Sequence, residues 1–245
     1  MSDITPKTAL VTGADRGFSL CVVRRLAQMG WRVYAGRVLP DYDLLDRLHD
    51  EYPEVIPIPL DVTSKEDILR VKEEIKKTSG KLDLLFSNAA IMSSDGTSTV
   101  GGEIPMNFDA MEEFYRVNSI AAVLLVDTLL PLLEKSDFRH LFFTSSEISS
   151  VRLMQRTGDT RYALTKTALN LAVRMMFNEL RPRGYVFRLY HPGWLKKMNP
   201  DGSLAERATI DPDYSAEIAI RQIFEERPDE DRLALVDLRG QELSF

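Results

Sequence analysis

The residues in this chain best suited to proton chemistry are Tyr162 and Lys166, four apart in RYALTK. On a helix that spacing puts both side chains on one face. An ammonium beside a phenol favours the phenolate, so the pair is expected to draw the tyrosine down from its ordinary pKa of about 10. Tyr162 would then act as general acid toward a carbonyl being reduced, or as base in the reverse oxidation. A surface Tyr/Lys pair on an amphipathic helix has the same spacing, so the partners decide. Ser146, in the serine-rich TSSEISS, ends the preceding strand-like run and would hydrogen-bond a substrate oxygen at the same edge. Asn118, in RVNSIAA, lies within a predicted helix, where an amide is otherwise a weak helix former.

A second set of residues suits a phosphate. The run TALVTGADRGFS carries an apolar strand through Thr12-Gly13 into a turn ending at Gly17, where a helix begins. Gly13 permits the sharp turn and Gly17 lets backbone approach a pyrophosphate. The new helix then points its unpaired N–H groups and positive dipole end at the phosphates. Glycines at a helix start also occur without a ligand, and it is the position after the first strand that favours binding. Asp15, Arg16 and Phe18 fall within or beside this turn. Asp61 and Val62 follow the third strand, where an adenine edge would lie, although Thr63-Ser64-Lys65-Glu66 reads as a capping box that explains the polarity alone. Asn88 ends the fourth strand in SNAA, followed by Ala89 and Ala90, and is as suited to tying strands together as to touching a ligand.

These groups act together only if the fold brings them to one edge. Short β-branched runs (TALVT, WRVYAG, VIPIPL, LDLLFSN, HLFFTSS, YVFRLY and LALVD) make about seven strands. Helical stretches separate them, roughly 17–30, 41–51, 64–79, 107–135, 160–181 and 213–226. Strands apolar on both faces and alternating with helices imply an α/β, doubly wound parallel sheet of Rossmann type, helices on both faces. The segments 93–105 and 147–160 read as long loops after strands, hence at the carboxyl edge where such sheets bind ligands.

Length and composition fit that plan. The 245 residues suffice for one α/β domain spanning 1–245, with no linker, repeat or low-complexity tract. A net charge of -6 argues against nucleic acid as the main partner. The start, MSDITPK, lacks the pattern of a signal peptide. The most apolar run, IAAVLLVDTLLPLL, is broken by Asp127 and Pro131 and reads as too short to span a bilayer, so no membrane partner is expected. Cys21 is the only cysteine, and His49, His140 and His191 lack metal-ligand spacing. No metal site is expected, and a reducing, cytoplasmic location is.

Over essentially its whole length the chain resembles the short-chain dehydrogenase/reductases. TGADRG is similar to that family's cofactor turn, Asp61 to its adenine contact and SNAA to its Asn-Asn-Ala-Gly element. Asn118, Ser146, Tyr162 and Lys166 match its catalytic tetrad in order, and HPGW, with Pro192 and Gly193, matches the turn beside the nicotinamide. The three-residue gap between Gly13 and Gly17 and the short chain match the compact dehydrogenase branch. The resemblance implies hydride transfer between a nicotinamide and a carbonyl or alcohol. It gives Ser146 the task of polarising the substrate oxygen, and Tyr162 that of exchanging the proton. Lys166 would hold the ribose hydroxyls and Asn118 a relay water. A nucleotide-binding regulatory or scaffolding protein with little turnover is the alternative.

Some positions depart from the family pattern. Ser19 replaces the third glycine and Ala90 a glycine of the second element. The interval from Ser146 to Tyr162 is about three residues longer than the resemblance implies, which leaves Ser145 and Ser149 as rivals to Ser146. Lys196 and Lys197 stand where a threonine near the cofactor is usual, and at least one is expected to meet the cofactor pyrophosphate or a substrate anion. The second strand ends in Gly36-Arg37 with no acid for a ribose 2′-hydroxyl, and Arg16 sits in the first turn. Two arginines converging on a 2′-phosphate favour NADP(H). Arg152, Arg156 and Arg161 would attract an anionic substrate unless they form a solvated face. The broad apolar surfaces of the helices at AAVLLVDTLL and ALTKTALNLAVRMMFNEL point to a homodimer or homotetramer.

Overall fold

The computed structural model describes residues 6–92, 100–101 and 107–245. Eight strands form one sheet: β1 (Thr8–Val11), β2 (Arg32–Arg37), β3 (Val55–Pro59), β4 (Leu84–Ser87), β5 (His140–Thr144), β6 (Val186–His191), β7 (Leu235–Asp237) and β8 (Glu242–Leu243). Their order is β3-β2-β1-β4-β5-β6-β7-β8. Every pair is parallel except β7 with β8, a two-residue antiparallel strand that the sequence pattern did not predict. The chain winds outward from β1 in both directions, so the crevice between the carboxyl ends of β1 and β4 is the switch point.

The helices are α1 (Gly17–Gln28), α2 (Leu44–Glu51), α3 (Lys65–Thr78), α4 (Phe108–Tyr115), α5 (Ala121–Leu133), α6 (Thr160–Leu180) and α7 (Pro212–Phe224). Strand residues alternate between two cores because both sheet faces are covered. Leu10 joins a core with residues of α3, α5 and α6, while Ala9 and Val11 join another with residues of α1, α2 and α7. Pro57 and Pro59 lie in β3, an edge strand, where a missing amide is tolerated.

The helix expected over 107–135 differs in two ways. A π-helical segment, Arg116–Ile120, separates α4 from α5. The joined stretch Phe108–Leu133 is also long and apolar enough to cross a membrane by length and composition, contrary to the reading of its most apolar run. Leu125, Val126, Leu129, Leu132 and Leu133 are buried in the core, so packing accounts for that apolarity. Of the predicted loops, 93–105 lies mostly outside the described residues. The loop from 147 opens with a 3-10 turn, Glu147–Ser149, and ends at Asp159 with a left-handed φ of 58°.

Candidate active site

Thr12 closes the switch point. Its amide donates to the Phe86 carbonyl at 3.0 Å, and its hydroxyl accepts from the amides of Asn88 and Ala89, each at 3.0 Å. Asn88 therefore does tie strands together, through its backbone. Gly13 has φ +63°, and a Cβ there would lie 2.9 Å from Ala89 Cα, so neither the turn nor the approach admits a side chain. Gly17, at φ +62°, has open space around it. Arg16 precedes α1 without capping it, and the Gly17 amide meets only the thioether of Met198 at 3.3 Å. A thioether is a weak acceptor, so the start of α1 suits a stronger one. A glycine cradle, an uncapped helix start and open space fit a dinucleotide pyrophosphate.

Neighbouring side chains have other tasks. Asp15 is buried, and its carboxylate accepts from the amides of Val38 and Leu39 at 2.9 and 2.7 Å, which pins the loop after β2. Phe18 turns into the core against Phe86 and Tyr190. Ser19 fits where a third glycine was expected, because its hydroxyl reaches the Thr12 carbonyl at 3.1 Å. Ala90 is exposed. The Asp61 carboxylate accepts from the Thr63 amide and hydroxyl at 2.8 and 2.7 Å, yet Asp61 stays exposed, while Val62 is buried. The helix cap falls on Ser64, one residue later than expected, and the reciprocal bond of a capping box is not formed, since the Ser64 amide goes to the Asp61 carbonyl. Ser64 caps the amide of Asp67 at 3.2 Å, and the Asp67 carboxylate accepts from the Asp61 amide at 2.9 Å.

The two arginines have different partners. Arg37, at the end of β2, pairs with Asp46 at 2.6 Å. Arg16 donates to the Tyr42 hydroxyl at 2.7 Å, with its guanidinium 5.0 Å from the centre of that ring. Gly36 is closely packed, and a Cβ there would displace the Leu60 side chain, whose Cδ2 would lie 2.9 Å away.

At the other half of the crevice, Lys166 is buried and donates to the Thr144 carbonyl at 2.8 Å. Burial lowers its pKa to about 8. Its ammonium lies 5.7 Å from the centre of the Tyr162 ring. The expected depression of the tyrosine pKa is absent: burial first, and Asp159 second, push the phenol upward. Asn118, in the π segment, has a fully engaged side chain. It accepts from the Ile91 amide at 2.8 Å and donates to the Ile91 carbonyl at 3.0 Å and the Thr165 hydroxyl at 3.2 Å. A π segment at a candidate site is a frequent association.

The three serines have different fates. Ser145 is buried and donates to Asn170 Oδ1 at 2.6 Å, while Asn170 Nδ2 donates to the Ser149 hydroxyl at 2.7 Å. Ser149 in turn donates to the Ser146 carbonyl at 2.5 Å. Ser146 itself only accepts, weakly, from the Ile148 amide at 3.3 Å, which leaves its hydroxyl proton uncommitted among the described residues. Sequence reading missed Asn170, although its place four residues beyond Lys166 continues the same helical stripe.

Pro192 and Gly193 follow β6. The Pro192 carbonyl accepts from Ser215 at 2.9 Å, and Gly193 combines φ +81° with crowding by Leu238 and Ile210. Beyond them a hairpin, closed by Met198 opposite Leu204, folds onto the first turn. Lys196 is half-buried and Lys197 exposed, and their ammonium groups have no partner among the described residues. His191 and Glu147 were also missed. His191 Nε2 stands 3.9 Å from the Glu147 carboxylate, which also pairs with Arg156, and burial lowers the histidine pKa. Arg156 is thus ion-paired, and Arg161 is buried over the Phe114 ring, so the expected trio of free arginines is not formed. A groove of about 280 Å³ beside Glu147 is lined by Ile148, Leu153, Met154 and Arg156.

Comparison with known proteins agrees with the fold. The family model for short chain dehydrogenases matches residues 7–201. An uncharacterised oxidoreductase of Schizosaccharomyces pombe is 28% identical over 200 residues, covering 80% of this chain and 77% of its own. A short-chain dehydrogenase/reductase of Talaromyces stipitatus is 30% identical over 215 residues, covering 77% and 78%. The crystal structure of an NADPH-bound carbonyl reductase from chicken fatty liver superposes with a TM-score of 0.84 at 25% identity, covering 99% of this chain and 100% of that one.

Proposed function

The chain belongs to the short-chain dehydrogenase/reductase family of oxidoreductases, and from that premise we propose that it exchanges a hydride between NADP(H) and a small or medium-sized carbonyl or alcohol. The observation that carries this reading is the buried Lys166, one helical turn from Tyr162 and fixed to the carbonyl of Thr144, two residues before Ser146. NADPH supplies the hydride when bound, and the chain supplies the rest. Tyr162, a neutral phenol near pH 7, gives its proton to the carbonyl oxygen as charge develops there. Ser146 donates a hydrogen bond to the same oxygen, a role for which Ser145 and Ser149 are already engaged.

Lys166 holds ribose hydroxyls and supports the developing phenolate. Asn118, its side chain committed to Ile91 and Thr165, fixes the segment after β4 to α6, so the relay water that the resemblance implies would rest on its main chain. Gly13, Gly17 and the start of α1 receive the pyrophosphate, with Asp15 and Phe18 shaping that turn. Asp61 and Val62 flank the adenine, Asn88, Ala89 and Ala90 the ribose, and Pro192 and Gly193 the nicotinamide. Lys196 and Lys197, unpaired among the described residues, stand ready for a phosphate or a substrate anion. The absence of an acid at the end of β2, with Arg16 and Arg37 nearby, favours the 2′-phosphate of NADP(H). The NADPH bound to the chicken carbonyl reductase accords with that choice.

Apolar residues exposed on α5 and α6 (Leu124, Leu164, Leu171 and Met175 among them) support a homodimer or tetramer paired across a two-fold axis. A lone, buried cysteine accords with the cytoplasm. The test is to titrate purified protein with NADPH and then follow nicotinamide absorbance with a broad panel of aldehydes and ketones. Turnover of any member supports the assignment. Nucleotide binding without turnover across the panel would replace it with the regulatory alternative.

A further inference from the structure

Tyr42 lies between β2 and α2, outside every motif read from the sequence, yet three segments meet on its side chain. Its hydroxyl accepts from Arg16 Nη1 at 2.7 Å and donates to the Met198 carbonyl at 3.3 Å. Its ring lies under the Arg16 guanidinium, 5.0 Å from ring centre to the central carbon, a cation–π distance. Accepting from a cation strengthens the hydroxyl as a donor, so the two hydrogen bonds support one another.

The way Arg16 is held matters more than the fact that it is held. Both hydrogen bonds it gives leave from Nη1, to Tyr42 and, at 3.5 Å, to the Met198 carbonyl. Its Nε and Nη2, the edge that grips an oxyanion in two places, have no acceptor among the described residues. No ion pair involves Arg16 among those residues either, whereas Arg37 shares its charge with Asp46. Tyr42 and Met198 offer Arg16 only neutral oxygens and a ring face. They orient the cation without neutralising it.

We infer that Tyr42 is a specificity-determining residue for the nucleotide, clamping Arg16 by one amine and the ring so that its bidentate edge stays open for the 2′-phosphate. This rests on the NADP(H) reading given above. A flexible arginine would lose rotamer freedom on meeting a phosphate, and a clamped one has lost it already. The contribution therefore falls on nucleotides that carry the 2′-phosphate and leaves the others almost untouched.

The test is fluorescence titration of the full chain with NADPH and with NADH, without substrate, for the unmodified protein and for Tyr42→Phe, Tyr42→Ala, Arg16→Ala and the double variant. Tyr42→Ala should weaken NADPH about fivefold or more while NADH stays within about twofold. Tyr42→Phe, which keeps the ring and disturbs the fold least, should show a smaller loss in the same direction. In the double variant the Tyr42 substitution should add nothing to the loss from Arg16→Ala, because the tyrosine acts through the arginine. Equal weakening of both nucleotides, no change in NADPH affinity, or additive losses would each overturn the inference while leaving the NADP(H) assignment in place. Equal affinity of the unmodified protein for both nucleotides would instead remove the assignment, and this inference with it.

Discussion

Lys166 reaches across from α6 to donate to the main-chain carbonyl of Thr144, the last residue of β5, at 2.8 Å. Four residues on, Asn170 grips the hydroxyls of Ser145 and Ser149 at 2.6 and 2.7 Å. One helical face thus fixes the end of β5 in two places, and Ser146 is carried between them. Burial that lowers Lys166 and raises Tyr162 leaves a protonated phenol as the donor available to a carbonyl.

Tyr162→Phe removes that donor while keeping the ring. Turnover should fall about a hundred- to ten-thousand-fold, the usual worth of positioned acid–base assistance. NADPH affinity, measured by fluorescence titration, should stay close to that of the unmodified protein. Retention of more than about a tenth of the activity would remove Tyr162 from the proton path.

NADPH should bind at least about tenfold tighter than NADH, a gap of roughly 1.4 kcal/mol. Arg37→Ala should shrink the gap chiefly by weakening NADPH. Because Asp46 holds Arg37 at 2.6 Å, Asp46→Asn should widen it. Calorimetric titration of each variant with both nucleotides decides, and a preference for NADH would refute the assignment.

His140 gives the fold an acid sensitivity. Its ring stacks on Phe138, centroids 3.5 Å apart, and burial lowers its pKa to about 4. The unfolded chain takes up this proton near the ordinary value of 6.5, the folded one only near 4. Between those limits the unfolded state binds more protons, so the contribution is complete above the upper limit and lost toward the lower. His140→Gln cannot titrate. Its unfolding free energy, followed in urea, should fall less steeply with acid, by on the order of 3 kcal/mol across the window. Parallel pH profiles would show that His140 is not responsible.

The apolar faces of α5 and α6 should pair two copies. Light scattering at micromolar concentration is expected to give a dimer or tetramer mass. Leu171 and Met175 are 63% and 65% exposed, so Leu171→Glu with Met175→Glu should yield a folded monomer. A monomer mass for the unmodified chain, or an unchanged mass for the double variant, would mean that this face is not the contact.

The sequence by itself determined the order of the main elements and the sheet edge to which the candidate residues belong. Hydrophobic period is a local property, and strands such as β1, buried on both faces, can belong only to a covered parallel sheet. The Tyr162–Lys166 spacing and the glycines around the first turn were legible for the same reason, since each works over a few neighbouring residues. Even β8 escaped, because two residues carry too little pattern to read.

Tertiary structure decided which polar groups already have partners. Asp15 looks like a cofactor ligand in the turn, yet it serves the amides of Val38 and Leu39, more than twenty positions away. Ser145, Ser146 and Ser149 are chemically alike, and only Asn170, brought in on α6, separates them. The direction of the Tyr162 pKa followed burial and not the Lys166 ammonium, because desolvation depends on everything packed around the phenol. Tyr42 carries no motif at all. Its meeting with Arg16 and Met198 requires residues 26 and 156 positions away to arrive at one point, which no local spacing encodes.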